Sequence, residues 1–285
     1  MRIFRKLTLA LFAGALACGL GANGQGFHCD NDTAIAMARI RELAQPGGDP
    51  AAICGRVAEG FVGVPYEDIT RNDTTGRAEL RVDAFDELTF VNTVVAMART
   101  ATSPGILRAR DLESSLMDVS LRRGEPGDFT AKMIYGGDWA IDNKARRNVK
   151  ELTEDFSDLF KTKSLTWIGR NRDEFAALKD SAMFEKQKMM EFGLRTFKIP
   201  HMKRESTEWK QVVPEMRDGD MIMLLSSDPD RDVFEWGFVV KRDDGFHFIH
   251  ASKEAGKVVE EPETLGRYVK RNSKQTYGWR WLRIL

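Results

Sequence analysis

The cysteines limit the nucleophilic chemistry that this chain can perform. The sequence has three, and Cys18 lies in an apolar N-terminal segment, which leaves Cys29 and Cys54 as a pair. In an oxidising compartment such a pair predicts a disulfide, which would close a loop of about 25 residues and stabilise the fold by about 3 kcal/mol. Two free buried thiols are the alternative. Neither cysteine is expected to be a nucleophile, because Cys54 lies within an apolar helical run rather than at an electropositive helix start.

The histidines and clustered carboxylates do not have the spacing of a metal centre. The chain has four histidines; His247 alternates with aromatic residues on a predicted strand, and His201 follows a proline in a loop. Asp228, Asp230 and Asp232 lie close together, but a calcium-binding loop needs further ligands at fixed positions. We therefore expect a turn there, and a protein with no metal and no cofactor.

The N-terminus has the pattern of a secretory signal. A basic start precedes an apolar stretch over residues 7–16, which is about ten residues long and too short to cross a bilayer. Small residues follow, so we expect a signal peptide over residues 1–24 and a secreted or periplasmic product. Lipid attachment at Cys18 is the alternative, although Ala15 stands where a lipoprotein signal favours leucine. No later segment is apolar enough to be a transmembrane helix.

Composition and charge favour a single globular domain over residues 25–285. This part of the chain has about 260 residues, enough for one large hydrophobic core. The 43 basic residues equal the 43 acidic ones, so the net charge is zero. This balance argues against nucleic acid as a partner and against attraction to anionic lipid.

The apolar spacing predicts helices first and strands afterwards. Four amphipathic or apolar stretches have helical periodicity, and the third follows Asp86, a typical capping residue: 33–45, 50–62, 87–97 and 107–121. Five short apolar or alternating stretches, separated by turn residues, predict an antiparallel meander: 220–226, 233–241, 245–250, 257–260 and 279–285. This order predicts an α+β domain with one core. For residues 144–202 the sequence predicts only short helices.

Seven short segments are similar, in the same order, to the motifs of a known family: 61–66, 86–92, 134–144, 199–200, 219–222, 232–237 and 250–252. They are similar to F-L-G-T-P-Y, D-C-x-T-F-V-E, H-Y-F-S-D-W with a later asparagine and lysine, I-P, G-D-I-I, D-I-x-H-V-G and H-A-S-S. The chain thus resembles the N-acetylmuramoyl-L-alanine amidase-like family, of the NlpC-type, papain-like cell-wall peptidases, over about residues 55–285. The resemblance implies a helical N-terminal half packed on an antiparallel C-terminal sheet, and peptidoglycan as the partner.

The resemblance also implies where a site would lie. In the family a cysteine at a helix start is the nucleophile, a strand histidine is its base, and the H-A-S histidine orients the base. The matching positions here are Glu87, Glu235 and His250. Since position 87 has no cysteine, serine or threonine, we do not expect cysteine amidase activity. The same groove would contain four substrate-binding candidates: Tyr66, Asp86, Trp139 and Trp236.

Three functions are compatible with these residues. The first is a non-catalytic pseudoenzyme that binds peptidoglycan, muropeptides or a protein partner. The second is a muramidase-like hydrolase of the glycan strands. In that case the helix start would keep Glu87 ionised as nucleophile or base, and Glu235, between apolar neighbours, would be the acid. The third is a metal-dependent hydrolase with Glu87, Glu235 and His250 as ligands.

Overall fold

A computed structural model of the protein describes residues 30–208 and 210–285, and its first half is mainly helical. Over all the described residues, the α-helices are α1 (Asp30–Leu43), α2 (Pro50–Glu59), α3 (Ile69–Asn72), α4 (Glu87–Thr102), α5 (Ala109–Ser120), α6 (Gly136–Ala145), α7 (Thr153–Phe156), α8 (Trp167–Arg170), α9 (Ser181–Gly193) and α10 (Leu265–Arg271). Short 3-10 turns lie at Arg122–Gly124, Phe129–Ala131, Arg172–Glu174, Ala176–Lys179, Arg204–Glu208 and Val213–Glu215.

The second half forms an antiparallel sheet. The strands are β1 (Val149–Glu151), β2 (Phe160–Lys163), β3 (Phe197–Pro200), β4 (Met221–Ser226), β5 (Val233–Arg242), β6 (Gly245–Ser252), β7 (Lys257–Thr264) and β8 (Thr276–Ile284). Six of them form one sheet in the order β1-β8-β4-β5-β6-β7, and β2 pairs with β3 separately. Every strand pair is antiparallel. The predicted α+β class, with helices before an antiparallel sheet, is confirmed.

Helix α4 is the central element of the helical layer. Its residues from Leu88 to Ala98 are all buried. A helix that is buried on every side must pack against several neighbours, and α4 contacts α2, α5, β5 and β6. The position of its first turn is therefore fixed by packing on several sides.

The two faces of the sheet have separate cores. Side chains alternate between the faces along a strand, and Trp236 of β5 lies opposite Met223 of β4 in the core below the helices. The preceding residue, Glu235, lies opposite Leu224, which belongs to the second core, with Tyr268 of α10. Trp236 thus faces the α4 side of the sheet, and Glu235 faces the α10 side.

The middle of the chain differs from its sequence-based prediction. Residues 144–202, predicted to form only short helices, also supply strands β1, β2 and β3 and the 13-residue helix α9. Strand β1 has only three residues and is held by its pairing with β8. So short a strand has no local periodicity, and its partner is more than a hundred residues away.

The N-terminal predictions lie mostly outside the described residues. These include the signal peptide over residues 1–24, Cys18 and Cys29. No disulfide is seen in the described part of the chain, where Cys54 is a buried free thiol of α2 whose pKa is raised by burial. The predicted disulfide is therefore not confirmed. Within the same part, none of the helices has both the length and the hydropathy of a membrane span.

Candidate functional site

The site begins where α4 begins. Asp86 caps this helix: its Oδ1 accepts the backbone N–H of Thr89 at 2.8 Å, and its own N–H donates to Thr89 Oγ1 at 3.0 Å. The other carboxylate oxygen, Oδ2, accepts the N–H of Thr70 at 2.5 Å. This reciprocal cap, which the Asp-x-x-Thr spacing favours, places Glu87 as the first residue of the helix. Asp86 itself is buried and holds α3 to α4.

A small pocket lies in front of this helix start. It has a volume of about 90 Å³. Its floor is formed by the first residues of α4 and α6, and its walls by α3, α8 and the start of β5. Six aromatic side chains line it: Tyr66, Tyr135, Trp167, Phe175, Phe234 and Trp236. Six charged side chains also line it: Asp68, Arg71, Asp86, Glu87, Arg231 and Asp232.

Glu87 is held by one hydrogen bond at this pocket. The Tyr66 hydroxyl donates to Glu87 Oε2 at 2.8 Å. The sequence predicts that the helix start keeps this carboxylate ionised, but the structure gives the opposite direction. Burial and the negative charge of Asp86 raise the pKa of Glu87, outweighing the backbone N–H and the Tyr66 hydrogen bond, which lower it. Burial and the charge of Glu87 also raise the pKa of Tyr66, so this residue remains a donor.

Replacing Glu87 with glutamine is expected to stabilise the protein at neutral pH. Between the ordinary glutamate pKa and its raised value, the folded state binds a proton that the unfolded state has lost. Stability therefore falls as pH rises through this window, and the penalty persists above it. Glutamine has no such penalty and still accepts from Tyr66. We expect Glu87→Gln to melt at nearly the wild-type temperature at pH 4 and about 2–4 °C higher at pH 7.

The matched control for this prediction is Glu254→Gln, which changes an exposed glutamate outside the pocket. Thermal melts of wild type and both variants from pH 4 to pH 7.5 give the comparison. An unchanged difference between Glu87→Gln and wild type over the whole range would contradict the raised pKa.

Glu235 and His250 lie in a different cluster, on the α10 side of the sheet. The Tyr268 hydroxyl donates to Glu235, whose side chain is 16% exposed. His250 Nε2 lies 3.0 Å from Glu261 Oε1, and its Nδ1, which has no hydrogen-bond partner, lies 3.9 Å from Glu235 Oε2. Arg271 donates to the second oxygen of Glu261 at 2.9 Å.

The predicted site residues therefore do not all line this pocket. Glu87 lines the pocket, whereas Glu235 and His250 are not among the residues that form its walls. No hydrogen bond or ion pair joins Glu87 to either of them in the described part of the chain. Their grouping as one constellation stays a prediction that rests on the family motifs.

Of the four predicted substrate-binding residues, three line the pocket and one does not. Tyr66, Asp86 and Trp236 line the pocket. Trp139 has no exposed surface: its Nε1 donates to Asn92 at 2.9 Å, and its ring packs edge-on against Trp236 at 5.5 Å. The Trp139 indole supports the pocket wall from behind, where a ligand in the pocket would not reach it.

Sequence reasoning missed two arginines that line the pocket, Arg71 and Arg231. The guanidinium carbons of Arg231 and Arg71 lie 5.1 and 5.3 Å from the centre of the Trp167 ring. Arg231 precedes the D-I-x-H-V-G segment, and Trp167 lies in the middle region with no motif around it. Only their convergence in space marks them, so no local signal could have identified them.

A metal-binding arrangement is not present among the predicted ligands. Within residues 30–208 and 210–285, no three His, Cys, Asp or Glu side chains are grouped so that they could hold an ion. Glu87, Glu235 and His250 therefore do not form such a group in this part of the chain.

Fold and pocket together define a helix-and-antiparallel-sheet protein with a small pocket at the start of its central helix. Residues 56–276 match the AmiA-like family, described as N-acetylmuramoyl-L-alanine amidase-like. The match covers well over half of the chain, and the chain belongs to this family. No curated protein matches it.

Several solved structures share the fold. An N-acetylmuramoyl-L-alanine amidase from Bacteroides uniformis is 22% identical, with a TM-score of 0.74 over 81% of this chain and 98% of that chain. A putative xylanase from Bacteroides fragilis is 25% identical, with a TM-score of 0.73 over 80% of this chain and 98% of that chain. A Legionella pneumophila protein is 17% identical, with a TM-score of 0.63 over 90% and 96%.

Proposed function

We propose that this chain is an exported peptidoglycan-associated protein that binds muropeptides in the pocket before α4 and does not cleave them by cysteine amidase chemistry. Family membership supports peptidoglycan as the ligand class. The name of the Bacteroides uniformis neighbour, an amidase of the bond between muramic acid and L-alanine, points to the same polymer. The signal predicted over residues 1–24 would deliver the protein to the periplasm or the cell exterior.

The observation that carries this proposal is the identity of the residue at the start of α4. A cysteine amidase needs a thiolate at such a helix start and a histidine within hydrogen-bonding reach. Here the position is occupied by Glu87, bonded to Tyr66. The pocket lining contains no cysteine, serine or histidine. Cys54, the cysteine within the described residues, is buried in α2 and does not line the pocket.

The size of the pocket favours a ligand that inserts one small group. A volume of about 90 Å³ is that of about three water molecules. It is well below the volume of about 300–1,000 Å³ that encloses a drug-sized ligand. An N-acetyl group or a single amino-acid side chain fits this volume. The rest of a muropeptide would lie outside it, against the aromatic side chains that line the pocket.

Titration calorimetry with purified muropeptides tests the proposed binding. The variant Phe234→Ala removes a half-buried ring from the pocket wall, and Phe160→Ala removes an exposed ring of β2 outside the pocket. We expect wild type and Phe160→Ala to bind alike, and Phe234→Ala to bind about tenfold more weakly, provided both variants melt cooperatively. Equal affinities for all three proteins, or no binding by wild type, would contradict the proposal.

Glycan hydrolysis is a second candidate, because one solved relative is named a putative xylanase. The raised pKa of Glu87 suits a general acid, but the second carboxylate, Glu235, does not line the same pocket. Incubation with purified peptidoglycan, acetylated and deacetylated, distinguishes the two functions. New reducing ends that are absent with Glu87→Gln would establish hydrolysis.

A further inference from the structure

Arg231 is a half-buried cation at the pocket that has no ionic partner in the described part of the chain. No Asp or Glu oxygen lies within 4.0 Å of its guanidinium group, although that distance defines the ion pairs made by many other arginines here. Its Nη2 donates to the backbone carbonyl of Phe234 at 3.2 Å. A guanidinium has five N–H donors, so most of its donors have no protein acceptor.

The loop that carries Arg231 is fixed by hydrogen bonds from Lys163 and Trp167. The Lys163 ammonium of β2 is buried and donates to three backbone carbonyls of this loop, those of Ser226, Asp228 and Arg231, the last at 2.6 Å. The backbone N–H of Trp167 donates to the carbonyl of Asp230 at 3.2 Å. These bonds fix the loop to the segment that carries Trp167, so the guanidinium and the indole are positioned before any ligand binds.

The carboxylates around the pocket are balanced by other groups. Asp86 accepts backbone N–H groups at the start of α4, and Asp232 accepts the Gly137 N–H at 2.6 Å in the first turn of α6. Helix starts stabilise such negative charges. Glu87 accepts the Tyr66 hydroxyl at 2.8 Å, and the Arg231 charge lowers its pKa against the larger effects of burial and Asp86 without a direct contact.

The two remaining charged residues of the pocket are paired with partners outside it. Asp68 accepts from the Lys253 ammonium at 2.9 and 3.0 Å, and Arg71 pairs with Glu174. Arg231, by contrast, makes neither an ion pair nor a hydrogen bond to a charged side chain of the described residues, and its charge acts on Glu87 and Asp232 only at longer range, where it lowers the pKa of each.

We infer that Arg231 is the residue that determines ligand specificity, and that it recognises a free carboxylate of the peptide stem of a muropeptide. This inference rests on the proposed function and names the group that the pocket selects. A guanidinium binds a carboxylate through two parallel hydrogen bonds. Trp167, packed against the guanidinium, limits its rotation and so keeps this fork aimed at the ligand.

The test compares two forms of one ligand. Calorimetry measures the binding of N-acetylmuramyl-L-alanyl-D-glutamate and of the same molecule with its carboxylates converted to carboxamides. We expect wild type to prefer the acidic form by about tenfold or more. Arg231→Gln should lose this preference, and Arg231→Lys, which keeps the charge but loses the fork, should retain only part of it. The control is Arg195→Gln, an exposed arginine that does not line the pocket.

The outcomes separate the inference from the function on which it rests. If wild type binds both forms equally and Arg231→Gln does not change either affinity, the inference is wrong while muropeptide binding stands. If wild type binds neither form nor any larger muropeptide, the proposed function itself fails. Melting temperatures of the variants near that of wild type are expected, because the Arg231 side chain makes a single hydrogen bond to the described residues.

Discussion

Replacing Glu151 with glutamine is expected to lower the free energy of unfolding by about 3–5 kcal/mol. Glu151 of β1 and Arg280 of β8 form an ion pair at 2.6 Å, with side chains that are 1% and 2% exposed. Glu151 also accepts the backbone N–H of Thr153 at 3.0 Å. Glutamine would leave the Arg280 charge buried without a counter-charge. For a domain of this size the melting temperature should fall by about 10 °C.

Two further variants make this prediction specific. Lys150→Gln, on the same strand as Glu151, breaks an exposed ion pair with Asp155 of α7 and should change the melting temperature very little. Replacing both buried partners, Glu151→Leu with Arg280→Met, removes both charges and should recover most of the lost stability. A Glu151→Gln protein that melts like wild type would show that this pair does not hold β1 to the sheet.

Replacing Trp139 with alanine is expected to cost about 3–5 kcal/mol. The indole is fully buried in α6, donates to Asn92 and packs edge-on against Trp236. Its removal leaves a cavity directly behind the pocket wall. Thermal melts should show a drop of about 10 °C, and muropeptide binding should weaken because Trp236 loses its support.

Trp167 provides the matched control, since it lines the pocket and is only half-buried, whereas Trp139 has no exposed surface. Trp167→Ala should lose much less stability than Trp139→Ala. A Trp139→Ala variant with the wild-type melting temperature but no affinity for muropeptides would contradict the buried position. It would instead support the sequence-based role of Trp139 as a substrate contact.

The parts of the fold that sequence predicted well are those that local patterns determine. Asp86 is followed by Thr89 and by an apolar helix, so the cap and the start of α4 could be placed within one residue. The C-terminal strands alternate and are separated by turns, so their order along the chain was also predictable. The family motifs then supplied the arrangement of the two halves.

The contacts made by particular side chains could not be predicted from the sequence. Glu235 and Trp236 are neighbours on β5 and face opposite sides of the sheet, as the alternation of side chains along a strand requires. A one-residue shift of register reverses every side chain. The motif therefore located the strand correctly but did not indicate that Glu235 accepts a hydrogen bond from Tyr268 of α10.

The electrostatics of the pocket could not be predicted from the sequence either. The pKa of Glu87 depends on its burial as well as on the helix start, and burial dominates. Arg231 is a candidate for ligand binding because Lys163 fixes its loop and because the nearby carboxylates have other hydrogen-bond partners. Such balances involve residues that are far apart in the chain, and no short motif encodes them.

Non-catalytic muropeptide binding is tested most directly by mass spectrometry of the muropeptides that co-elute with the wild-type protein in gel filtration. A defined muropeptide mixture is incubated with the protein, and the bound and free fractions are compared with a protein-free sample. We predict intact, acidic muropeptides in the bound fraction and unchanged molecules in the free fraction. Shortened glycans or released stem peptides, or a bound fraction without muropeptides, would contradict non-catalytic binding.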